Sequence, residues 1–153
     1  MGPTVTPTDA TLGAVVTGVD LADLSDAAWR AVEEAFHEHA VLVFPDQHLS
    51  AEAQIAFAQR FGEIERLTPN EKLLAVPISN LRADGGIAGE DDDHVQILRG
   101  NEGWHTDSSY MPVSARASVL SAHVLPSEGG APCSWKPERP PRFAWCPIFA
   151  CEW

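Results

Sequence analysis

A break in composition near residue 130 divides the chain into a part that can build a core and a part that cannot. Residues 131–153 hold all three cysteines (Cys133, Cys146, Cys151), three of the five tryptophans and five of the twelve prolines. They carry a net charge of +1, against −13 for residues 1–130. The segment shows neither the 3.6-residue apolar period of a helix nor the two-residue period of a strand. Its prolines would interrupt either element. Three readings fit such a tail: a docking segment, an unstructured end, or translation in a shifted frame, which changes composition abruptly. The abruptness favours the third, and residues 131–153 are expected to be poorly ordered.

Residues 1–130 are long enough for one domain with a core. No apolar run approaches the ~20 residues needed to span a bilayer. The opening Met1-Gly2-Pro3-Thr4-Val5-Thr6 has neither a basic stretch nor an apolar one, so no export signal is read there and a cytoplasmic location is expected. An odd number of cysteines without an export signal argues against a disulfide framework. The net charge of −12 over the whole chain makes nucleic acid and anionic membrane surfaces poor partners, because like charges repel.

The first 130 residues read as short strands with two helices among them. Leu12–Val19 is β-rich and flanked by turns. Ser25 can cap a helix starting at Asp26, with Trp29, Val32 and Phe36 on one apolar stripe and Arg30, Glu33, Glu34 and Glu38 facing water. Ala40–Phe44 is a continuous apolar run ended by Pro45-Asp46, a buried strand followed by a turn. Ser50 caps a second helix with Ile55, Ala58 and Phe61 on one face, and Gly62 stops it. Val76–Leu81 is expected to be a strand, Asp84–Asp93 a solvated acidic loop, and Ser118–Leu125 another strand. There is no βαβ rhythm, so the pattern predicts a β-dominated α+β domain of sandwich or jelly-roll type.

The chemically informative segment is Asn101-Glu102-Gly103-Trp104-His105-Thr106-Asp107. In extended chain, residues two apart share a face, so an imidazole nitrogen of His105 and a carboxylate oxygen of Asp107 can be aimed at one point. With a second histidine they would form the two-His, one-carboxylate set that holds ferrous iron on one face and leaves the other positions open. Iron suits the task because it passes electrons to dioxygen, which zinc cannot. Spacing alone is weak: about 0.4 His-x-Asp pairs are expected by chance in a chain of this composition. A surface histidine beside a turn aspartate is the bland alternative.

Context sharpens the reading. Ala40-Val41-Leu42-Val43-Phe44, Gln47-His48-Leu49-Ser50, Gln54-Ile55-Ala56-Phe57-Ala58 and Phe61-Gly62-Glu63-Ile64-Glu65 follow one another in an order similar to the taurine dioxygenase and 2,4-dichlorophenoxyacetate dioxygenase family. Trp104-His105-Thr106-Asp107-Ser108-Ser109-Tyr110 continues the resemblance, as do Pro112, Ala115-Arg116, Leu120-Ser121-Ala122 and Pro126-Ser127-Glu128-Gly129-Gly130. It covers most of residues 10–130 and leans toward the chlorophenoxyacetate branch. The resemblance implies a partial double-stranded β-helix (jelly roll, cupin-like) with two N-terminal helices. It implies an oxidoreductase that uses Fe(II), 2-oxoglutarate and dioxygen to hydroxylate a small organic substrate, acidic or sulfonated by kinship. His105 and Asp107 would be the first two metal ligands. Asn101 matches a position near cosubstrate and substrate.

The resemblance stops where the composition breaks. After Gly129-Gly130 the family carries an acidic residue and a cosubstrate-binding threonine; here Ala131 and Pro132 stand there, and proline has neither a hydroxyl nor an N–H to offer. The half that supplies the distal histidine and the arginine for the 2-oxoglutarate carboxylate does not follow. Residues 1–130 are therefore read as the N-terminal part of such a domain, truncated and inactive alone. His123, His94, His37, His39 and His48 do not make a convincing third ligand, so a small metal-binding protein using His105, Asp107 and His94 or His123 stays open as an alternative. A half-domain also leaves strands without neighbours, which predicts low stability and self-association through open edges.

Overall fold

Two short strands joined by a connection over residues 8–13 open the chain. Thr4–Pro7 (β1) and Ala14–Thr17 (β2) pair antiparallel, Thr4 opposite Thr17 and Pro7 opposite Ala14. The Thr8 N–H donates to the Gly13 carbonyl at 2.9 Å, and the Thr8 hydroxyl donates to the Leu12 carbonyl at 3.0 Å. Gly13 takes φ +109°, and a Cβ there would meet Thr8 Oγ1 at 3.3 Å. The strand expected over Leu12–Val19 shortens to four residues because Gly13 and Gly18 both leave the extended region. These elements come from a computed structural model, which describes residues 2–66, 74–82, 84–100, 111–123 and 147–149.

Ser25 starts the first helix, Asp26–His39 (α1), by accepting the Ala28 N–H on its Oγ at 3.2 Å. Val32, Ala35 and Phe36 are its buried stripe, with Trp29 half-buried beside them. The chain turns at Ala40 and enters Val41–Val43 (β3), which runs parallel to β2 with Ala14 opposite Leu42. Parallel neighbours need a crossover, and α1 provides it, so β2, α1 and β3 form one βαβ unit. That corrects the expectation of no such rhythm. Strands of three and four residues are too short for their apolar pattern to reveal pairing direction.

The second helix, Ala51–Ala58 (α2), is capped by Ser50 Oγ, which accepts the Ala53 N–H at 3.2 Å. It ends three residues before the expected Phe61. The chain tightens there through bonds from Arg60 N–H to the Phe57 carbonyl and from Phe61 N–H to the Ala58 carbonyl, each 3.0 Å. The buried helical residue is Phe57, and Phe61 is buried from the turn that follows. These rings meet edge-on: Phe57 and Phe61 lie 5.6 Å apart, Phe36 and Phe61 5.2 Å, Trp29 and Phe61 4.8 Å. Edge-to-face contacts add to the burial that drives the packing. Arg60 clamps the two helices, 5.2 Å over the Trp29 ring and 2.9 Å from Asp26 Oδ1.

The described strands form one sheet in the order β1-β2-β3-β5-β4, with β4 at Ser118–Val119 and β5 at Pro147–Phe149. β5 pairs antiparallel with both neighbours, Ile148 opposite Leu42 and Val119. It lies within 131–153, where the sequence predicts no regular element; three residues are too few to display a period. Ala14, Val16 and Leu42 pack with Val32, Phe36 and Phe57 in one core, so the helices cover one side of the sheet.

Two expectations for residues 76–93 are corrected. Val76–Leu81 is not a strand; a single antiparallel bridge joins Leu81 to Ile87, with Ile78 and Ile87 each 70% exposed. Among the described residues no strand lies alongside to take up its backbone groups, and Pro77 removes a donor. The acidic loop also ends in a helix, Asp93–Gly100 (α3). The signal was Asp93 in the first turn with Val95 and Leu98 three apart, both half-buried. Ser118–Leu125 is a strand only over Ser118–Val119 among the described residues. No helix among the described residues is long and apolar enough to cross a membrane.

Candidate functional site

His105, Asp107 and Asn101 lie outside the described residues, as do the three cysteines and most of the 131–153 tail. The structure therefore shows what brackets the candidate segment. On the N-terminal side is α3, ending at Gly100. Glu90 ties its start to its end: the Gln96 side-chain amide donates to the Glu90 carbonyl at 2.6 Å, and Arg99 Nη2 sits 2.8 Å from Glu90 Oε1. Arg82 Nη2 and Asp92 Oδ2 make a second pair at 2.9 Å. The acidic run Glu90-Asp91-Asp92-Asp93 is thus partly engaged in local pairs, where the sequence suggested simple solvation.

On the C-terminal side the chain is held to the core at three points. Ala117 and Val119 pack against the buried cluster. Gln54 Nε2 donates to the Val119 carbonyl at 3.0 Å, linking α2 to β4 across 65 residues of sequence. Arg116 Nη2 lies 2.9 Å from His37 Nε2 and 3.5 Å from Glu33 Oε1, both on α1. Glu33, expected in water, is half-buried. Arg116 carries five donors and no acceptor, so His37 Nε2 accepts in this contact.

Sequence reasoning missed Gln47. Its Oε1 accepts the Leu21 N–H at 2.9 Å, and its Nε2 donates to the Pro45 and Val19 carbonyls at 3.0 and 3.3 Å. One amide thereby satisfies backbone groups of two loops that have no ladder partner. The turn it holds carries left-handed φ values at Asp46 (57°) and His48 (44°). A polar residue three positions after the apolar run Ala40–Phe44 was the available hint.

His37 and His39 occupy the last turn of α1. His48 and His123 are exposed, and His123 sits in a bend rather than the expected strand. Among the described residues no three His, Cys, Asp or Glu side chains converge on a point that could hold a metal ion. The cavity that does appear, about 330 Å³ beside the end of α2, is lined by Gln59, Gly62, Glu63, Ile64, Arg66 and Leu74 and contains none of the predicted site residues. The donor set of the candidate segment, one imidazole and one carboxylate, suits ferrous iron in kind and would make two of the three ligands that such a centre needs.

The described sheet carries α1 and α2 on one side, and the His105-x-Asp107 segment precedes β4 in the sequence. The crystal structure of AAD-2 in complex with Mn(II) and N-oxalylglycine matches with a TM-score of 0.73 and 36% identity, covering 82% of this chain and 43% of that one. The taurine catabolism dioxygenase TauD, TfdA family model matches residues 4–132, and the chain belongs to that family. It is 54% identical over 128 residues to a (S)-phenoxypropionate/alpha-ketoglutarate-dioxygenase of Sphingobium herbicidovorans, covering 82% of this chain and 42% of that protein. It is 50% identical over 133 residues to a protein of the same description from Delftia acidovorans, covering 84% and 44%. The chain thus spans about two fifths of the length of the curated relatives it matches.

Proposed function

We propose that the chain is the N-terminal part of an Fe(II)- and 2-oxoglutarate-dependent dioxygenase that hydroxylates a small organic acid. The observation that carries the reading is a His105-x-Asp107 pair inside the segment matched by the family model. In this reading the whole domain is a double-stranded β-helix, and the described sheet with its two capped helices is part of one layer. His105 and Asp107 hold the metal from one face, and Asn101 contributes a polar contact near cosubstrate and substrate. When bound, the iron supplies the electron transfer to dioxygen that oxidises 2-oxoglutarate to succinate and carbon dioxide and hydroxylates the substrate. The relatives, (S)-phenoxypropionate/alpha-ketoglutarate-dioxygenases, point to an aryl-ether carboxylic acid as that substrate. The protein's own work is to fix the imidazole and carboxylate in place, exclude water and hold the substrate carboxylate. Reduced iron and 2-oxoglutarate as requirements fit a cytoplasmic location.

Cobalt(II) titration in place of oxidisable iron tests the site. The wild-type chain is expected to bind one equivalent, and His105→Ala or Asp107→Ala to lose it. Binding unchanged in both variants overturns the assignment. Succinate formation from 2-oxoglutarate with Fe(II) and air is expected only when the chain is joined to the remaining three fifths of such an enzyme.

A second reading keeps the half-domain non-catalytic, binding metal or assembling with itself along a strand edge. Such assembly would run along an outer strand of the described sheet, β1 or β4.

A further inference from the structure

β1 is an outer strand of the described sheet, and its hydrogen-bonding direction follows from one residue. Pro7 has no N–H, so its pairing with Ala14 is a non-hydrogen-bonded pair. The bond from Thr8 N–H to the Gly13 carbonyl, one position on, agrees with this. Bonded and non-bonded pairs alternate along an antiparallel ladder. Thr4 and Thr6 therefore turn their backbone groups inward to β2, while Val5 and Pro7 turn theirs outward. The Thr4 N–H points inward, so the trans peptide that joins Pro3 to Thr4 turns the Pro3 carbonyl outward as well. The outward row reads proline, valine, proline, and the Val5 N–H is its only donor.

A second copy of this chain is the occupant that such an edge would take. Antiparallel pairing about a twofold axis through Val5 sets Val5 against Val5 of the second copy and Pro3 against its Pro7. Each such pair would normally exchange two bonds. With proline at both flanking positions, only the Val5 exchange survives. Prolines on an edge strand are a known means of blunting it, but they serve only where the missing N–H points outward, and both do so here. We propose that Pro3 and Pro7 guard the β1 edge, keeping a second copy of this chain from extending the sheet. This inference stands apart from the iron reading.

Sedimentation velocity over a concentration series tests it on the full chain. The Pro3→Thr/Pro7→Thr double variant is expected to self-associate about 10-fold or more tightly than wild type, since each restored bond contributes about 1 kcal/mol. Thr6→Val, which raises strand hydrophobicity at an inward-bonded position and adds no donor, is expected to leave association unchanged. A double variant no tighter than wild type, or a Thr6→Val variant that tightens equally, overturns the proposal. Amide exchange in the wild-type chain supplies a readout that does not depend on the variants folding: the Thr6 N–H is expected to be protected and the Val5 N–H to exchange freely. The reverse order overturns it.

Discussion

Ala40 shows what a single residue concedes to the fold. It closes α1 with φ 61° and ψ −32°, its N–H donating to the Phe36 carbonyl at 2.8 Å. That region is open to glycine and strained for a residue with a Cβ. Ala40→Gly is expected to raise stability by about 0.5–1 kcal/mol, read as a higher urea midpoint with unchanged slope. Glu52, in the first turn of α2, is a residue-scale effect of the opposite kind. Hydrogen bonding from its own backbone N–H, then from the Ser50 hydroxyl, holds its carboxyl below the usual glutamate range, with slight desolvation opposing. A lowered folded-state pKa contributes stability that is present above the unfolded pKa and lost as pH falls through the folded one. The contribution is therefore expected to fade below about pH 4.3, and Glu52→Gln to flatten that part of the stability–pH curve. Ser25 and Ser50 were legible from sequence because a cap is a local device. Gln47 was not, since its three backbone partners include two that lie 26 and 28 residues away.

Among elements, length decided what could be read. α1 spans 14 residues, enough turns for Trp29, Val32 and Phe36 to declare a stripe. β1 and β4, with four and two residues, declare almost nothing, and both owe their existence to a neighbour. β4 in particular depends on the Gln54 amide at its Val119 carbonyl. Gln54→Met preserves the side chain's volume and removes the donor. It is expected to cost about 1–2 kcal/mol, since the carbonyl is left without its partner. Backbone amide exchange should show increased exchange across residues 117–120 with α1 unaffected. Uniformly faster exchange throughout would place Gln54 in the global core instead. α3 and the lost Val76–Leu81 strand teach the converse. An apolar run becomes a strand only where another strand takes up its backbone groups, and Leu81 found only the single bridge to Ile87.

Over the whole molecule, stability is concentrated where α1, α2 and one side of the sheet meet. Phe57 stands at that junction, fully buried, with its ring 5.9 Å from Phe44 and 6.2 Å from Trp29. Phe57→Ala is expected to cost about 3–5 kcal/mol, a large share of the roughly 5–15 kcal/mol of a typical domain. Tryptophan fluorescence and far-ultraviolet circular dichroism should then lose their transitions together. Loss of the fluorescence change alone would mean that helices and sheet fold separately. The sequence by itself determined the caps, the α1 stripe and the apolar run of β3, because each is written within a few consecutive residues, and the family, because its motifs follow in order along residues 10–130. Only the tertiary structure decided that β2 and β3 run parallel, that Gln47 and Gln54 serve backbone groups far along the chain, and which way Pro7 of β1 faces. Those outcomes depend on contacts between distant residues, and a local period carries no information about which distant segment will arrive to complete them.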